Sequence, residues 1–416
     1  MTSPLPRRYL DHPATSWPKP APVIEAVLHA IRDVGAAAGR GTSSDARRAD
    51  AIRTAARGAA ARLVGDVDPE RVALPAGATL ALNMAIHGIV TPGWHVIATA
   101  ADHNATLRPL HWLERQGTIS LTVVPCDGDG RVDPADVADA WRPDTRLFVF
   151  SHASNVTGTL QDAETLVAMA RKRDAITILD AAQTAGIVPI PAGSNAADVV
   201  VAPAHKWLQG PEGIAILAVR AGIEPRPLIQ GGTGSGSDAL AMPERFVDRM
   251  EAGTPDLGAL AGLAAAIGWG ERHGQASLAS HGHSLAAGCK AGLGQLPGVR
   301  VLGTRERGGP PIVAFTVEGY DPAVVAVLLE QVSGVQARAG FHCAALIHGH
   351  LGTAKGGTVR VGFGPFNTPG DAEAVVAAIA AITGGLSGNS DRVFGAVSSS
   401  FPSPPLIHWQ VPPWQA

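Results

Sequence analysis

Short, nearly unbroken apolar runs alternate with longer alanine-rich segments through the first half of the chain. Val72-Ala73-Leu74, Val96-Ile97-Ala98, Leu121-Thr122-Val123-Val124, Leu147-Phe148-Val149-Phe150, Ile176-Thr177-Ile178-Leu179 and Ile214-Ala215-Ile216-Leu217 read as strands, with Val199-Val200-Val201-Ala202 a further apolar run. Continuous hydrophobicity predicts cover on both faces, as in a mostly parallel sheet. Residues 78–89 and 162–173 read as the intervening helices. This alternation predicts an α/β doubly wound domain. Polar residues follow the runs at His103, Ser151, Asp180 and Lys206. Open α/β sheets place their ligands at that edge.

From about residue 260 the pattern changes. Residues 260–272 predict an apolar helix that connects two domains. Ile312–Val317 and 358–363 read as strands, and 323–331 and 371–383 as helices, which makes a smaller α/β domain. After residue 384 the composition shifts to runs such as Ser398-Ser399-Ser400-Phe401-Pro402-Ser403-Pro404-Pro405. Such a stretch cannot pack a core alone. The expected division is a large domain at 26–260, a small domain at 261–384 and a tail at 385–416, flexible or docked through Trp409 and Trp414.

Length and composition narrow the function. With 416 residues, 46% hydrophobic and 17% charged, the chain has enough apolar content for a large globular core. A formal charge of −3 indicates neither a nucleic-acid footprint nor a basic membrane patch. No run approaches the roughly 20 apolar residues of a membrane span, and no apolar core follows Arg7-Arg8 to make a signal peptide. Cys126, Cys289 and Cys343 are odd in number and far apart, which suits a reducing cytoplasm. The closest histidine pairs, His281/His283 and His348/His350, lack carboxylate or cysteine partners, so no metal site is expected.

Lys206 carries the most chemistry. It stands at the end of a buried run and before the glycine-bearing turn Trp207-Leu208-Gln209-Gly210. Burial disfavours an ammonium, so its amine suits nucleophilic attack on an aldehyde. Asp180 ends another run. Pyridoxal phosphate needs both groups: a lysine for its aldehyde, and a carboxylate to keep its ring nitrogen protonated. Ala76-Gly77-Ala78-Thr79 offers a glycine turn, a hydroxyl and a helix start, a suitable phosphate cradle. His205 is a second phosphate candidate. Cys343 lies in Arg338-Ala339-Gly340-Phe341-His342-Cys343-Ala344, where His342 and Arg338 could lower a thiol pKa. Cys126 and Cys289 read as inert core residues.

With Ser151-His152-Ala153-Ser154-Asn155-Val156-Thr157-Gly158-Thr159, these motifs resemble the class V aminotransferase family. More narrowly they resemble its cysteine desulfurase and selenocysteine lyase branch, in the group with an Arg-x-Gly-x-His-Cys-Ala motif. The resemblance runs from Tyr9-Leu10-Asp11 to about Phe366-Asn367-Thr368. It implies a fold-type I pyridoxal-phosphate enzyme: a large domain with a mostly parallel seven-stranded sheet, a smaller C-terminal α/β domain, and an N-terminal segment, 1–25, that joins the small domain. It also implies roles. His103 stacks on the cofactor ring, Gln183 bonds the ring's phenolic oxygen, and Asn155 lies near that oxygen and the substrate carboxylate. Ala78, Thr79 and His205 serve the phosphate, and Thr254 reaches the phosphate of a second subunit in a homodimer. Arg360, with Arg338 as a second candidate, binds the substrate carboxylate.

The implied reaction converts L-cysteine, or L-selenocysteine, to alanine, leaving a persulfide on Cys343 for a sulfur-acceptor protein or small thiol. Lys206, Cys343 and His103 are its catalytic candidates. A C–S lyase or epimerase acting on a larger amino acid is the alternative, and a non-catalytic sulfur-pathway scaffold a third. The chain departs from the family pattern at Pro203, where a serine or threonine usually serves the phosphate, and at His12-Pro13 near its start. Proline has neither a hydroxyl nor a backbone donor.

Overall fold

The computed structural model describes residues 5–39, 41–303 and 308–384. The tail 385–416, with its two tryptophans, lies outside the described residues. In chain order the strands are β1 (Arg8–Tyr9), β2 (Val72–Ala73), β3 (Trp94–Thr99), β4 (Ile119–Val124), β5 (Thr145–Ser151), β6 (Ile176–Asp180) and β7 (Val199–Pro203). They continue with β8 (Ala215–Val219), β9 (Val299–Leu302), β10 (Ile312–Val317), β11 (Val335–Gln336), β12 (Arg338–Gly340) and β13 (Thr358–Gly362). Every apolar run read as a strand is one, with ends that coincide or shift by one or two residues.

The large sheet has seven strands in the order β2-β8-β7-β6-β5-β3-β4. β3 to β7 run parallel, while β8 is antiparallel to both β7 and β2. Side chains alternate faces along a strand, and here both faces are apolar. Ile97, Phe148, Phe150, Leu179 and Val200 pack with Ala56, Leu166 and Leu263 of the helices Ser44–Leu63, Ala163–Arg171 and Leu257–His273. Their neighbours Val96, Leu147, Val149, Ile178 and Val201 pack on the other side with Leu82 and Leu110 of the helices Ala78–Ile89 and Asn104–Arg115. Continuous apolar runs are what two covered faces require.

The second core lies on the four-stranded sheet β12-β13-β10-β9. Val313, Phe315, Val359 and Val361 pack there with Leu285, Val325 and Val375 of three helices, Gln275–Leu293, Pro322–Ser333 and Pro369–Gly384. β9 escaped the sequence reading because only one of its four residues is buried and Arg300 is exposed. The N-terminal segment joins this part of the molecule. β1 pairs parallel with β11, and Leu10 O accepts from Gly362 N at 2.7 Å.

Because β3, β5, β6 and β7 are parallel, their C-terminal ends lie along one edge of the sheet. Asp102 binds two of those ends together. Its carboxylate accepts from Thr99 N at 2.8 Å and from Ser151 N at 2.6 Å. The side chain is fully buried, and burial pushes its pKa up to about 7 against those two bonds.

Candidate active site

A cavity of about 240 Å³ opens at this edge. Asp180, the last residue of β6, and Lys206, three residues beyond β7, both line it. Burial raises the Asp180 pKa, against the pull of the Ala182 N–H bond at 2.9 Å and of Lys206. Burial likewise pushes the Lys206 ammonium down to about 8. Asp180 and Asp11 oppose that shift, while Arg360 and Arg338 add to it. The amine is therefore substantially neutral in weakly basic solution.

The other candidates gather around these two. His103 caps the helix Asn104–Arg115: its Nδ1 accepts from Ala105 N at 3.0 Å. In the neutral ring that bond leaves the proton on Nε2. Burial, then Lys206 and the nearby arginines, lowers the His103 pKa to about 4, so the ring is neutral at working pH. Ala78 and Thr79 begin the helix Ala78–Ile89, whose first turn has no side-chain cap, at the cavity wall. Gly77 precedes them at φ 99°, a backbone angle that favours glycine. His205 also lines the cavity, with its buried Nδ1 unpartnered. Pro203 stands in the wall and offers no donor there.

Gln183 is more occupied than the sequence suggests. Its Oε1 accepts from Trp207 Nε1 at 2.8 Å and its Nε2 donates to Pro13 O at 3.0 Å. One amide hydrogen remains for the cavity. Asn155 is a junction. Its Nδ2 donates to His342 O at 2.6 Å, its backbone oxygen accepts from Arg360 at 2.7 Å, and its buried Oδ1 has no partner. Arg360 is 2% exposed, and its other terminal nitrogen donates to Asp11 Oδ1 at 2.9 Å. Its Nε is unpartnered. Arg338 sits opposite Arg360 in the β12–β13 register and is exposed, and its side chain makes no hydrogen bond or ion pair among the described residues.

Cys343 lies in a neighbouring cavity that shares Thr79, His103 and Ala105 with the first. It is exposed, whereas Cys126 and Cys289 are buried, and burial pushes both of those thiols up to about 12. His342 and Cys343 both take left-handed backbone angles, φ 50° and 58°. Such conformations persist where surrounding bonds over-determine them. Here Asn155 Nδ2 holds His342 O, Asn104 N holds Cys343 O at 2.7 Å, and the His342 ring meets Thr358 Oγ1 at 3.0 Å.

Thr254 is not in the Lys206 cavity. It is exposed, and lines a separate cavity with Thr233 and Glu251. Three of the four histidines in the His-Gly-His pairs bond neighbouring groups: His281 bonds Asn367 O, His283 bonds Gly309 O, and His348 bonds Thr353 Oγ1, while His350 is exposed. Among the described residues no group of three His, Cys, Asp or Glu could hold a metal ion. Asp102, Asp11 and Trp207 were not picked out from the sequence. The partners of Asp102 and Asp11 lie 49 and 349 positions away.

An α/β sheet presenting a half-buried lysine and a buried acid at its carboxyl edge is the arrangement expected of a fold-type I pyridoxal-phosphate protein. The chain belongs to the aminotransferase class-V family, which it matches over residues 8–375. It is 30% identical over 367 residues to a probable cysteine desulfurase of Methanothermobacter thermautotrophicus, covering 86% of this chain and 90% of that one. It is 29% identical to a probable cysteine desulfurase of Vibrio cholerae, covering 89% and 92%. Among solved structures, it resembles apo cysteine desulfurase from Thermococcus onnurineus NA1, with TM-score 0.84 and 28% identity over 91% and 94% of the chains. The Escherichia coli cysteine desulfurase CsdA matches with TM-score 0.80 and 27% identity, covering 89% and 93%.

Members of this family use pyridoxal phosphate, and the cavity suits that group. Asn155 Oδ1 and His205 Nδ1 are buried polar atoms without partners, an arrangement that a polar ligand relieves. The uncapped helix start at Ala78 presents backbone N–H groups to an anion. Asp180 and Lys206 meet the chemical needs of ring nitrogen and aldehyde.

Proposed function

We propose that the chain is a pyridoxal-phosphate-dependent cysteine desulfurase, converting L-cysteine, and L-selenocysteine as a further substrate, to alanine. The observation that carries this reading is the adjacency of two cavities at His103, one lined by Lys206 and Asp180 and the other by exposed Cys343.

When bound, the cofactor supplies an aldehyde for attachment and a ring that accepts the electron pair left at the substrate Cα. Lys206 is the attachment point, and its released amine takes the Cα proton. Asp180 keeps the proton on the ring nitrogen. Gln183, with its remaining amide hydrogen, and Asn155 bond the ring oxygen. Ala78, Thr79 and His205 hold the phosphate. His103 would stack on the ring, and its Nε2 proton would be available to the substrate side. Arg360, aided by Arg338, receives the substrate carboxylate; the Asp11 and Asn155 bonds fix the plane of its fork.

The Cys343 thiolate then attacks the substrate sulfur. An S–S bond forms as the Cβ–S bond breaks. The electron pair stays with Cβ, which takes a proton to become the methyl group of alanine. A persulfide on Cys343, exposed at the surface, is open to a sulfur-acceptor protein or small thiol. The position of Thr254, exposed and outside its own Lys206 cavity, supports a homodimer in which it serves the partner's phosphate. Three free cysteines fit a cytoplasmic protein.

Brief reaction with cysteine, alkylation and peptide mass analysis tests the reading. One extra sulfur is expected on the Cys343 peptide and none on those of Cys126 and Cys289. Full alanine production by Cys343→Ala, with no persulfide in the unsubstituted protein, would overturn it in favour of C–S elimination.

A further inference from the structure

The segment after β1 reaches from the smaller sheet to the Lys206 turn. Leu10 and Asp11 lie against Gly362 of β13. A few residues on, three donors meet on one backbone oxygen, the carbonyl of His205. Ser16 N donates at 2.7 Å, Ser16 Oγ at 2.9 Å and Lys19 Nζ at 3.0 Å. Thr15 Oγ1 lies 3.2 Å from the same oxygen, but its single proton has a shorter path, 2.8 Å, to Glu212 Oε1. A carbonyl oxygen has two lone pairs. This one is saturated, and one of its donors is an ammonium.

Lysines ordinarily keep that ammonium in water. Lys19 is instead half-buried, and its second bond, 2.8 Å, goes to Ser16 Oγ. Burial pushes its pKa down to about 8, with Glu212 opposing. Ordering a buried ammonium is unfavourable in both entropy and solvation. The carbonyl it holds belongs to the residue directly before Lys206. Two further backbone bonds of this turn run within it, Gly210 N to Ala204 O at 2.8 Å and Gln209 N to Lys206 O at 3.0 Å, and the Trp207 side chain ties it to Gln183 Oε1 at 2.8 Å. The His205 ring gives no anchor through Nδ1, which has no partner. The peptide plane that leads into Lys206 is therefore held from outside the cavity by Ser16 and Lys19.

We propose that Lys19 is a positioning residue for Lys206: with Ser16 it clamps the His205 carbonyl and so fixes the turn that aims the Lys206 amine into the cavity. The same clamp ties the amine to the smaller sheet, since the segment is anchored there at Leu10 and Asp11. The proposal rests on the reading that Lys206 carries the cofactor. The charged and titratable groups around Lys206 are Asp180, Asp11, Arg360, Arg338, His103 and His205, all present in each variant below. Lys19 itself faces Glu212, His205 and His12.

Lys19→Met, Lys19→Arg and Ser16→Ala test it. In the cofactor-free protein, the pH midpoint of Lys206 acetylation is followed by peptide mass analysis. The unsubstituted protein should show a midpoint near 8. Lys19→Met should raise it by about one unit or more, toward the roughly 10.4 of a solvated lysine, because a released turn returns the amine to water. In the holoprotein, visible circular dichroism per bound cofactor should fall at least about twofold in Lys19→Met, and Lys19→Arg should restore it through the retained cationic donor. A folded Lys19→Met with both signals unchanged overturns the proposal. Should that variant not fold, Ser16→Ala must show the same two shifts in smaller degree, and its failure to do so is equally decisive. Borohydride reduction and peptide mapping separate this from the functional reading: a cofactor found elsewhere than on Lys206 defeats that reading, while the acetylation midpoint still judges Lys19.

Discussion

Removing the Asp11 carboxylate should destabilise the protein far more than removing a surface acid. Arg360 is 2% exposed, and Asp11 is its one ion-pair partner among the described residues, at 2.9 Å, with the Asp11 side chain 20% exposed. Asp11→Ala leaves the guanidinium buried with a single remaining bond, to Asn155 O at 2.7 Å. Breaking a buried pair by deleting one partner costs about 3–5 kcal/mol. The partial exposure of Asp11 admits some water, which places the expectation at the lower end, about 3 kcal/mol. With a urea slope of roughly 3 kcal/mol/M, that is a midpoint lower by about 1 M. Exposed ion pairs contribute about 0–1 kcal/mol and weaken with salt, so the shift should persist in 0.5 M salt, a concentration chosen to screen surface charges. The double variant Asp11→Ala/Arg360→Met should recover part of the loss, since it leaves no unpaired charge. An Asp11→Ala midpoint within about 0.2 M of the parent, taking the same slope, would refute the claim that this pair carries a buried charge.

Three further outcomes follow from the site. Cofactor attachment needs the neutral Lys206 amine, and its pKa is lowered to about 8, so the attachment rate should rise roughly tenfold per pH unit below that value and level off above it; stopped-flow rates that stay flat between pH 6 and 9 would contradict this. Pro203→Ser puts a hydroxyl in the cavity wall, and one hydrogen bond to a charged phosphate, about 1.5 kcal/mol, should tighten cofactor binding about tenfold; equal or weaker binding in a folded variant, read by fluorescence titration, would rule out a phosphate contact there. At Gly77 an added Cβ meets no atom within 4 Å, but φ 99° with ψ 157° is a conformation kept almost wholly for glycine; calorimetry on Gly77→Ala should show a loss of about 1–3 kcal/mol from backbone strain alone, and an unchanged unfolding temperature would refute it.

What the sequence disclosed, and what it hid, divides along chain distance. β5, β6 and β7 could be read from their runs because each is covered on both faces, and a buried strand writes its environment into consecutive residues. The reagents could be read for the same reason, since Asp180 and Lys206 sit directly at or after such runs. β9 and β12 left no such mark: they are short and partly exposed, and pairing with β10 and β13 defines them.

The groups that hold the reagents left even less. Asp11 meets Arg360 across 349 positions, Asn155 meets His342 across 187, and Lys19 meets the His205 carbonyl across 186. No local pattern specifies which backbone oxygen a lysine will find. Gln183 shows the other side of this. Read alone, it is a free carboxamide one turn from the acid; in the fold, Trp207 and Pro13 claim most of it. A polar residue near a reagent thus serves the ligand only with whatever bonding capacity its distant neighbours leave. At this site that remainder is small and specific: one amide hydrogen on Gln183, Oδ1 of Asn155, Nδ1 of His205 and the uncapped N–H groups at Ala78. These are the positions at which substitutions should alter cofactor affinity before they alter the fold, whereas Asp11, Asp102 and Lys19 should alter both, because each already holds the polypeptide in place.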